Sequence, residues 1–269
     1  MTYPESSSPE VVMTVGGSDS GGGAGIQADL KTFSAHGVYA TTVITAVTAQ
    51  NTLGVEQAEP IPLEVVSAQL KAVATDLPPA ATKTGLLGRS EIVQLVAEHA
   101  FRLPNLVVDP VLVDRHGNTV VDDSVPDTYM QYLIPRAALA TPNHREAALL
   151  ADRPIEDEAD MRAAAEYLAS TTRTPFLITG GRLAPPHPPL DVFSDGIKTD
   201  SLPGRRVRSR NVHGTGDALS ASIAARLATG SDLLLTIAAA RAWVSRAITG
   251  AAGWKLGRGE GPIDHFGWA

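Results

Sequence analysis

Short apolar runs alternate with amphipathic stretches along most of the chain. Val11 to Val15 is β-branched and Leu106 to Val113 is almost wholly apolar, which is typical of strands buried on both faces of a parallel sheet. From Pro62 to Leu77, by contrast, apolar positions recur with the period of a helix. This alternation predicts an α/β fold with a parallel, doubly wound sheet and with ligands at the carboxyl ends of its strands.

The same pattern predicts the remaining elements and the residues that bound them. Ser90 and Ser231 are predicted to cap helices, and Asp195-Gly196 marks the turn of a hairpin that spans Asp191 to Pro203. Further strands are predicted at Tyr39 to Ala49, Ala81 to Leu87, Leu139 to Asn143 and Pro175 to Thr179. Further helices are predicted at Ile26 to His36, His144 to Ala151 and Glu156 to Ala169, followed by one that starts at Ala218 and one that ends near Ile248.

The length and composition of the chain predict one globular domain. Its 269 residues contain no long linker-like break, so we interpret residues 11–269 as a single domain and residues 1–10 as a disordered terminus. The absence of cysteine excludes disulfides, thiolate metal sites and a cysteine nucleophile. A net charge of -7 argues against broad binding of nucleic acid or anionic membranes. The start of the chain lacks a signal-peptide pattern and no apolar run has transmembrane length, so we expect a cytoplasmic location.

A glycine-containing turn precedes the apolar helix predicted from Ala218. Gly214 and Gly216 allow main-chain N–H groups to converge on an anion, and Thr215 between them adds a hydroxyl. The N-terminus of the following helix carries unpaired N–H groups and the positive end of the helix dipole, which suits a phosphate group. Asp217 lies in the first turn, where it is either an ordinary first-turn carboxylate or a catalytic base.

A second glycine-rich loop, at residues 16–25, joins the first strand to the first helix. Its spacing is not a clean G-x-G-x-x-G, so it indicates dinucleotide binding only weakly. The second strand also ends at Gln50 rather than at the acidic residue that would hold a ribose. The glycines of this loop are interpreted as keeping the backbone close to a ligand.

Polar residues stand at the ends of several separate strands. Asp19 and Gln50 end the first two, and Asp109 is the one charge in its apolar run. A carboxylate in such a strand needs a metal, a cationic side chain or main-chain donors as its partner. Asn143 and Glu146 either face a common ligand from the start of a helix or form an ordinary capping box.

Six segments, in order over nearly the whole chain, carry a resemblance to a known family. They are GGSDSGGGAGIQADLKTFSAHGVYATTVITAVTAQNTLGV (16–55), KTGLL (83–87), VVDPVLVDRHG (107–117), TPNHREA (141–147), HGTGDALSASIAA (213–225) and GRGEGPIDHF (257–266). Together they resemble the ribokinase-like kinases and, within them, the bacterial hydroxymethylpyrimidine/phosphomethylpyrimidine kinases of thiamine biosynthesis. The resemblance implies an α/β, ribokinase-like fold with a mostly parallel central sheet and helices on both faces.

The resemblance also implies a reaction and a set of catalytic residues. The reaction is ATP-dependent phosphorylation of 4-amino-5-hydroxymethyl-2-methylpyrimidine and then of its monophosphate, with Mg2+ as cofactor. Asp217 would be the catalytic base, and Gly214 and Gly216 would frame the anion hole over the transferring phosphoryl group. Asn143 and Glu146 would hold magnesium, directly or through water.

Substrate-binding residues and an oligomeric state follow from the same resemblance. Gln50 would read the substrate, because a carboxamide offers an acceptor and donors to the amino group and ring nitrogen of an aminopyrimidine. Gly17, Asp19 and Asp29 and the backbone near Val47 to Thr48 would lie close to the same pocket. A homodimer is also expected.

The chain departs from the family pattern at two of these positions. Asp217 stands where many members carry cysteine, and aspartate is the usual residue of the wider superfamily. Thr179 stands where the family commonly has lysine, which removes an expected phosphate contact from the second phosphorylation. The candidates to replace it are Arg182 or a group formed by Arg205, Arg206 and Arg208.

Two other functions remain open at the level of the sequence. A pyridoxal or pyridoxine kinase would share the fold, the anion hole and the base, and Gln50 is the residue that favours an aminopyrimidine instead. A catalytically weak ligand-binding or regulatory relative is the alternative of another class. The joint presence of Asp217, Asn143 and Glu146 argues against it.

Overall fold

One sheet of nine strands runs through the computed structural model, which describes residues 8–181, 183 and 189–268. The strands are β1 (Val11–Asp19), β2 (Tyr39–Gln50), β3 (Val55–Pro60), β4 (Ala81–Thr84), β5 (Leu106–Val108), β6 (Leu139–Ala140), β7 (Phe176–Thr179), β8 (Leu190–Ser194) and β9 (Thr199–Pro203). Their order across the sheet is β3-β2-β1-β4-β5-β6-β7-β8-β9. The six central strands are parallel, and β3, β8 and β9 join antiparallel at the two edges.

Helices cover both faces of this sheet. They are α1 (Gly25–Ala35), α2 (Leu63–Asp76), α3 (Ser90–Glu98), α4 (Val125–Thr128), α5 (His144–Leu150), α6 (Glu158–Thr172), α7 (Thr215–Ala228) and α8 (Leu233–Gly250). Short 3-10 turns occur at Ala100–Arg102, Ile134–Arg136 and Ala251–Gly253, and a π-helical turn at Tyr129–Leu133. One apolar cluster packs under α2, α3, α5 and α6, and another under α1, α7 and α8. Leu106 and Val108 point into the first and Val107 into the second, because successive side chains of a strand alternate between faces.

The predicted fold class and the predicted hairpin are confirmed, but several boundaries differ. The strand that starts at Leu106 ends at Val108 rather than Val113, since Pro110 has no N–H to donate to a neighbouring strand. Strand β1 continues through its two glycines to Asp19. Strand β3 was not predicted, because its sequence VEQAEP is polar and every residue in it is exposed.

Both predicted serine caps are wrong. Ser90 is the first residue of α3, and its hydroxyl hydrogen-bonds that of Ser124 at 3.0 Å. Helix α8 is capped by Asp232, whose Oδ1 accepts hydrogen bonds from the N–H groups of Leu234 and Leu235. A carboxylate at the helix N-terminus also interacts favourably with the helix dipole, which the neighbouring Ser231 hydroxyl does not.

Two further expectations concern the N-terminal segment and the location of the protein. The segment predicted to be disordered is residues 1–10, of which 1–7 lie outside the described residues. Among the helices of the described ranges, none combines the length and the apolar character needed to cross a membrane.

Two histidine rings flank Trp243 on the face covered by α1, α7 and α8. The ring centroids of His36 and His265 lie 4.9 Å and 6.2 Å from that of Trp243. Burial, assisted by the charge of Lys31, lowers the pKa of His265 to about 4, and burial also lowers the pKa of His36. Both imidazoles are therefore neutral in the folded chain at pH values where the unfolded chain already binds protons.

We expect acid to destabilise the protein between about pH 6.5 and pH 4 through these histidines. Unfolding then takes up protons, so the free energy of unfolding falls as the pH drops, by about 3 kcal/mol at pH 4 for His265 alone. Urea unfolding of the wild type and of His265→Gln at several pH values measures this loss. His116→Gln, which changes an exposed ring, is the control. An equal acid slope for His265→Gln and the wild type would contradict the assignment.

Candidate active site

Polar side chains at the carboxyl ends of the parallel strands meet at one edge of the sheet. Asp19 ends β1 and Gln50 ends β2, while Asp109 directly follows β5. Asn143 lies three residues beyond β6 and forms an isolated parallel bridge with Thr179 at the end of β7. Residues that are far apart in the sequence thus face one region, where open α/β sheets bind their ligands.

The glycine turn before α7 lies at the same edge. Helix α7 begins at Thr215, three residues before the predicted start, and Gly214 is its N-cap with a φ of 79°. A Cβ atom at Gly214 would collide with the carbonyl oxygen of Gly23, so the turn packs directly against the first glycine loop. The first-turn N–H groups of α7 lack acceptors within the helix and carry the positive end of its dipole, which is the arrangement expected of an anion site. The N–H of Thr215 donates to the carbonyl of Val212 in the preceding loop, at 3.3 Å.

A cavity of about 110 Å3 opens in front of this turn. It brings together the predicted base Asp217, the predicted anion-hole residue Gly216 and the predicted metal ligands Asn143 and Glu146. Its full lining is Asp109, Val111, Thr141, Asn143, Glu146, Thr179, Gly216, Asp217 and Leu219. Gly214 lies beside this lining, as the N-cap of the helix that contributes Gly216 and Asp217.

Two carboxylates in the wall of the cavity are buried close to each other. Burial raises the pKa of Asp109 to about 6; Lys83 opposes the rise and Asp217 adds to it. Burial and the charge of Asp109 raise the pKa of Glu146 well above its usual value. Like charges in a low dielectric repel, so this part of the cavity favours a cation.

Asn143 and Glu146 form the capping box that the sequence left open as one alternative. The Asn143 Oδ1 accepts from the N–H groups of Arg145 and Glu146, and Glu146 Oε2 accepts from the N–H of Asn143 at 2.8 Å. Glu146 Oε1 also accepts from the N–H of Leu112, at 3.3 Å. These bonds fix the side chains at the start of α5, where they point into the cavity wall.

The donor set of this wall fits magnesium. Carboxylate, amide and hydroxyl oxygens are the ligands that Mg2+ prefers, and it commonly keeps several waters and phosphate oxygens rather than an all-protein cage. The Thr141 hydroxyl is buried here and has no hydrogen-bond partner among the described residues. Those residues contain no group of three or more His, Cys, Asp or Glu side chains arranged around one metal position.

Lys83 is a functional candidate whose role the sequence analysis missed. Its side chain is fully buried in β4, and its Nζ lies 3.0 Å from Asp29 Oδ1 and 3.0 Å from Asp217 Oδ1. The sequence held one signal for it, a charged residue in an otherwise uncharged strand. What the sequence did not reveal is that both partners belong to helices on the same side of that strand.

Asp29 is expected close to the substrate pocket, and its direct contact with a substrate stays a prediction. Asp29 is 0% exposed, and its carboxylate is held by Lys83 and by the Thr14 hydroxyl, which donates to Oδ2 at 2.6 Å. Burial raises its pKa to about 7, with Lys83 opposing the rise. Asp29 therefore lies beneath the site, and Lys83 connects it to Asp217.

Gln50 lies at the other end of the site, in contact with a histidine that the sequence analysis had not singled out. The Gln50 side-chain nitrogen is 3.2 Å from His213 Nε2, and the Thr48 hydroxyl is 3.1 Å from Gln50 Oε1. His213 Nε2 is also 3.4 Å from Asp19 Oδ2. The carboxamide is thus held from both sides at the strand end.

Asp19 organises the first glycine loop. Its carboxylate accepts hydrogen bonds from the N–H groups of Gly21, Gly23 and Ala24 at 2.8 to 2.9 Å. Burial alone would raise the pKa of Asp19, but these bonds and His213 hold it below its usual value. The Asp19 carboxylate therefore fixes the backbone of the first glycine loop, which lies beside the expected substrate position.

Two other residues expected near the substrate, Gly17 and Thr48, lie on neighbouring strands. Gly17 packs where a Cβ would come within 3.3 Å of the Leu86 side chain. Thr48 is buried and its hydroxyl donates to the carbonyl of Ser18, while Val47 is half exposed. Their direct contact with a substrate stays a prediction.

The arginines considered as substitutes for the missing lysine are only partly described. Thr179 lies in the cavity wall, at the position where the lysine was expected. Arg182 lies outside the described residues, and Arg205, Arg206 and Arg208 follow β9 on an exposed segment. Their contact with a phosphate group stays a prediction.

The chain matches known proteins over nearly its whole length. The family model described as "Phosphomethylpyrimidine kinase" matches residues 19–264. A hydroxymethylpyrimidine/phosphomethylpyrimidine kinase of Rhizobium meliloti is 45% identical over 258 residues, which are 95% of this chain and 97% of that protein.

Solved structures of two vitamin kinases share the fold. A pyridoxal kinase of Bacillus subtilis, solved as an ADP complex, matches with a TM-score of 0.89 and 33% identity over 96% of this chain and 98% of that one. A phosphomethylpyrimidine kinase of Clostridium difficile matches with a TM-score of 0.78 and 33% identity over 89% of this chain and 99% of that one.

Proposed function

Because the chain belongs to the phosphomethylpyrimidine kinase family, we propose that it phosphorylates 4-amino-5-hydroxymethyl-2-methylpyrimidine and then the resulting monophosphate, with ATP as donor. Such a two-step phosphotransferase supplies the pyrimidine diphosphate for thiamine biosynthesis. The observation that carries the proposal is the meeting of Asp217, the glycine turn and the oxygen donors of Asn143 and Glu146 at one cavity.

Asp217 is the catalytic base in this proposal. As the substrate hydroxyl oxygen bonds to the γ-phosphorus, the bond from that phosphorus to ADP breaks, and the hydroxyl proton passes to Asp217. Phosphoryl transfer has a loose transition state, so a base that orients the alcohol and takes its proton late is sufficient. Asp217 meets that need by its position, because it lies in the first turn of α7 and lines the cavity.

The turn from Gly214 to Gly216 holds the transferring group. Gly216 and Asp217 line the cavity, and their N–H groups are the donors that this proposal assigns to the charge on the phosphoryl oxygens. Donors that are already in position cost no reorganisation during the reaction, which makes this kind of stabilisation a large contribution to catalysis.

Asn143 and Glu146, together with Asp109, are the residues that would hold Mg2+, directly or through water. When bound, the cation neutralises charge on the β- and γ-phosphates. The raised pKa values of the two carboxylates support this assignment, because a cation offsets the repulsion between them. The homodimer expected from the resemblance stays a prediction.

Gln50 reads the pyrimidine. Its carboxamide can pair an acceptor with the 4-amino group and a donor with the adjacent ring nitrogen. The contacts with His213 and Thr48 keep the amide at the strand end, beside the first glycine loop. A pocket built to satisfy such a polar edge discriminates against ligands that lack it.

Pyridoxal kinase is the second candidate function, and the high structural similarity to the Bacillus subtilis pyridoxal kinase favours it. The two activities share the catalytic base and the glycine turn before α7. They differ in the ring that the pocket must recognise, because pyridoxal carries a phenolic oxygen and an aldehyde instead of the 4-amino group. The products formed from each substrate separate the two functions.

The test is to incubate the protein with MgATP and, separately, the hydroxymethylpyrimidine, its monophosphate and pyridoxal, and to identify the products by mass spectrometry. Diphosphate from both pyrimidines is the expected result. Monophosphate alone would limit the proposal to the first step and assign a role to the lysine that Thr179 replaces. Product from pyridoxal alone would favour the second candidate, and absence of every product would overturn both.

The variant Gln50→Leu is expected to raise KM for the hydroxymethylpyrimidine by at least about tenfold, since it leaves the polar edge of the ring without partners. KM for ATP is expected to change little. Gln57→Leu, on the exposed strand β3, is the matched control. An unchanged pyrimidine KM in Gln50→Leu would remove Gln50 from the recognition site.

A further inference from the structure

A fully buried ammonium group lies directly behind the proposed base. Lys83 Nζ is 3.0 Å from Asp217 Oδ1, and the side chain is 0% exposed. A Cβ atom at Gly85 would come within 3.0 Å of Nζ, so the glycine at this position leaves room for the ammonium group. The lysine therefore reaches the Asp217 carboxylate from strand β4 of the sheet.

Burying an ammonium group is costly unless it is paired and hydrogen-bonded. Burial alone would lower the pKa of Lys83, but the charges of Asp29, Asp217 and Asp109 together raise it above its usual value. Lys83 is therefore charged at neutral pH.

A second carboxylate anchors the lysine. Asp29 lies within hydrogen-bond distance of Nζ on one side, and the Thr14 hydroxyl holds Asp29 Oδ2 at 2.6 Å. Thr14 and Lys83 belong to neighbouring strands that pair in register, so this anchor is built on the rigid centre of the sheet. The chain Thr14, Asp29, Lys83, Asp217 runs from the sheet centre to the cavity.

We propose that Lys83 is a positioning residue, which fixes the direction of the Asp217 carboxylate by engaging Oδ1 and leaves Oδ2 for the substrate hydroxyl. Asp29 and Thr14 hold Lys83 in the position that this requires. The inference rests on the proposed function, because it takes Asp217 as the base. It assigns a role to Asp29 that does not require contact with the substrate.

The test compares two variants with the wild type. Asp29→Asn keeps the shape of the anchor and weakens its hold on Lys83. Lys83→Met/Asp29→Asn removes the lysine together with the buried charge that it compensates, so the double variant is chosen to fold where Lys83→Met alone would leave Asp29 unpaired. Thr174→Val is the control, because it removes a buried hydrogen bond to the Ile134 carbonyl at the opposite end of the strands.

The double variant is expected to lose kcat by about 10- to 100-fold with KM for both substrates within about threefold, because only the transition state needs the aligned carboxylate. Asp29→Asn gives a smaller loss of kcat. Thr174→Val loses thermal stability but keeps kcat and both KM values.

A crystal structure of the double variant separates this inference from the proposed function. Displacement of the Asp217 carboxylate by about 1 Å or more supports positioning even where no product forms from the tested substrates. A carboxylate in its wild-type position, or a folded double variant with wild-type kcat, overturns it. Absence of turnover in the wild type counts against the proposed function alone.

Discussion

The variant Asp217→Asn is expected to lose about 10²- to 10⁴-fold in kcat, the range that a general base contributes. The amide has the shape of the carboxylate and still offers an oxygen to Lys83, but it does not take up the proton of the attacking hydroxyl. KM for ATP is expected to stay within about threefold, because the proposed phosphate contacts come from the glycine turn rather than from this side chain. Steady-state kinetics with the hydroxymethylpyrimidine and MgATP measure both quantities.

The control for this variant is Asp160→Asn. Asp160 also lies in the first turn of a helix, α6, so the control reports the effect of removing a first-turn charge without catalysis. Both variants are expected to unfold within a few degrees of the wild type. A kcat for Asp217→Asn within about threefold of the wild type would exclude Asp217 as the base.

The variant Gly214→Ala is expected to lose both stability and turnover. Gly214 has a left-handed φ of 79°, and an added Cβ would overlap the Gly23 carbonyl oxygen. Strain and overpacking together are expected to lower the free energy of unfolding by about 3 kcal/mol or more. The backbone must move to relieve this overlap, and the movement displaces the glycine turn before α7. We therefore expect kcat to fall by at least about 100-fold in protein that remains folded.

A second glycine with a left-handed backbone, beyond the other end of α7, provides a matched control. Gly230, just past the end of α7, has a φ of 78°, and nothing lies within 4 Å of its added Cβ. Gly230→Ala therefore carries the left-handed strain alone, about 1 to 2 kcal/mol, with wild-type kcat. Equal effects of the two substitutions on melting temperature and kcat would show that the contact with Gly23 has no special role.

The parallel order of the sheet and the position of the site at its carboxyl edge could be predicted from the sequence, because buried strands leave a strong local pattern. Asp109 illustrates this well. Because it is the one carboxylate in an apolar run, Asp109 was predicted to have a partner. In the structure its Oδ2 accepts a hydrogen bond from the Ser220 hydroxyl at 3.0 Å, and it interacts with the charge of Lys83. What the pattern did not specify is which of the possible partners is present, since that depends on long-range packing.

The substrate end was harder to predict, because the relevant contacts join residues that are distant in sequence. Gln50 and His213 are separated by 163 positions and meet only when α7 packs against the first glycine loop. Asp29 gives a second example. The resemblance implied only that it lies close to the substrate pocket, and the sequence did not predict that α1 directs its carboxylate toward Lys83.

The packing of Gly214 against Gly23 connects the glycine turn before α7 to the first glycine loop, so that neither can move without the other. Asp19 fixes the loop on one side of this contact, and on the other side His213 continues directly into the anion turn. A substitution that displaces the first glycine loop is therefore expected to displace the turn before α7 as well, because the two backbones are in direct contact.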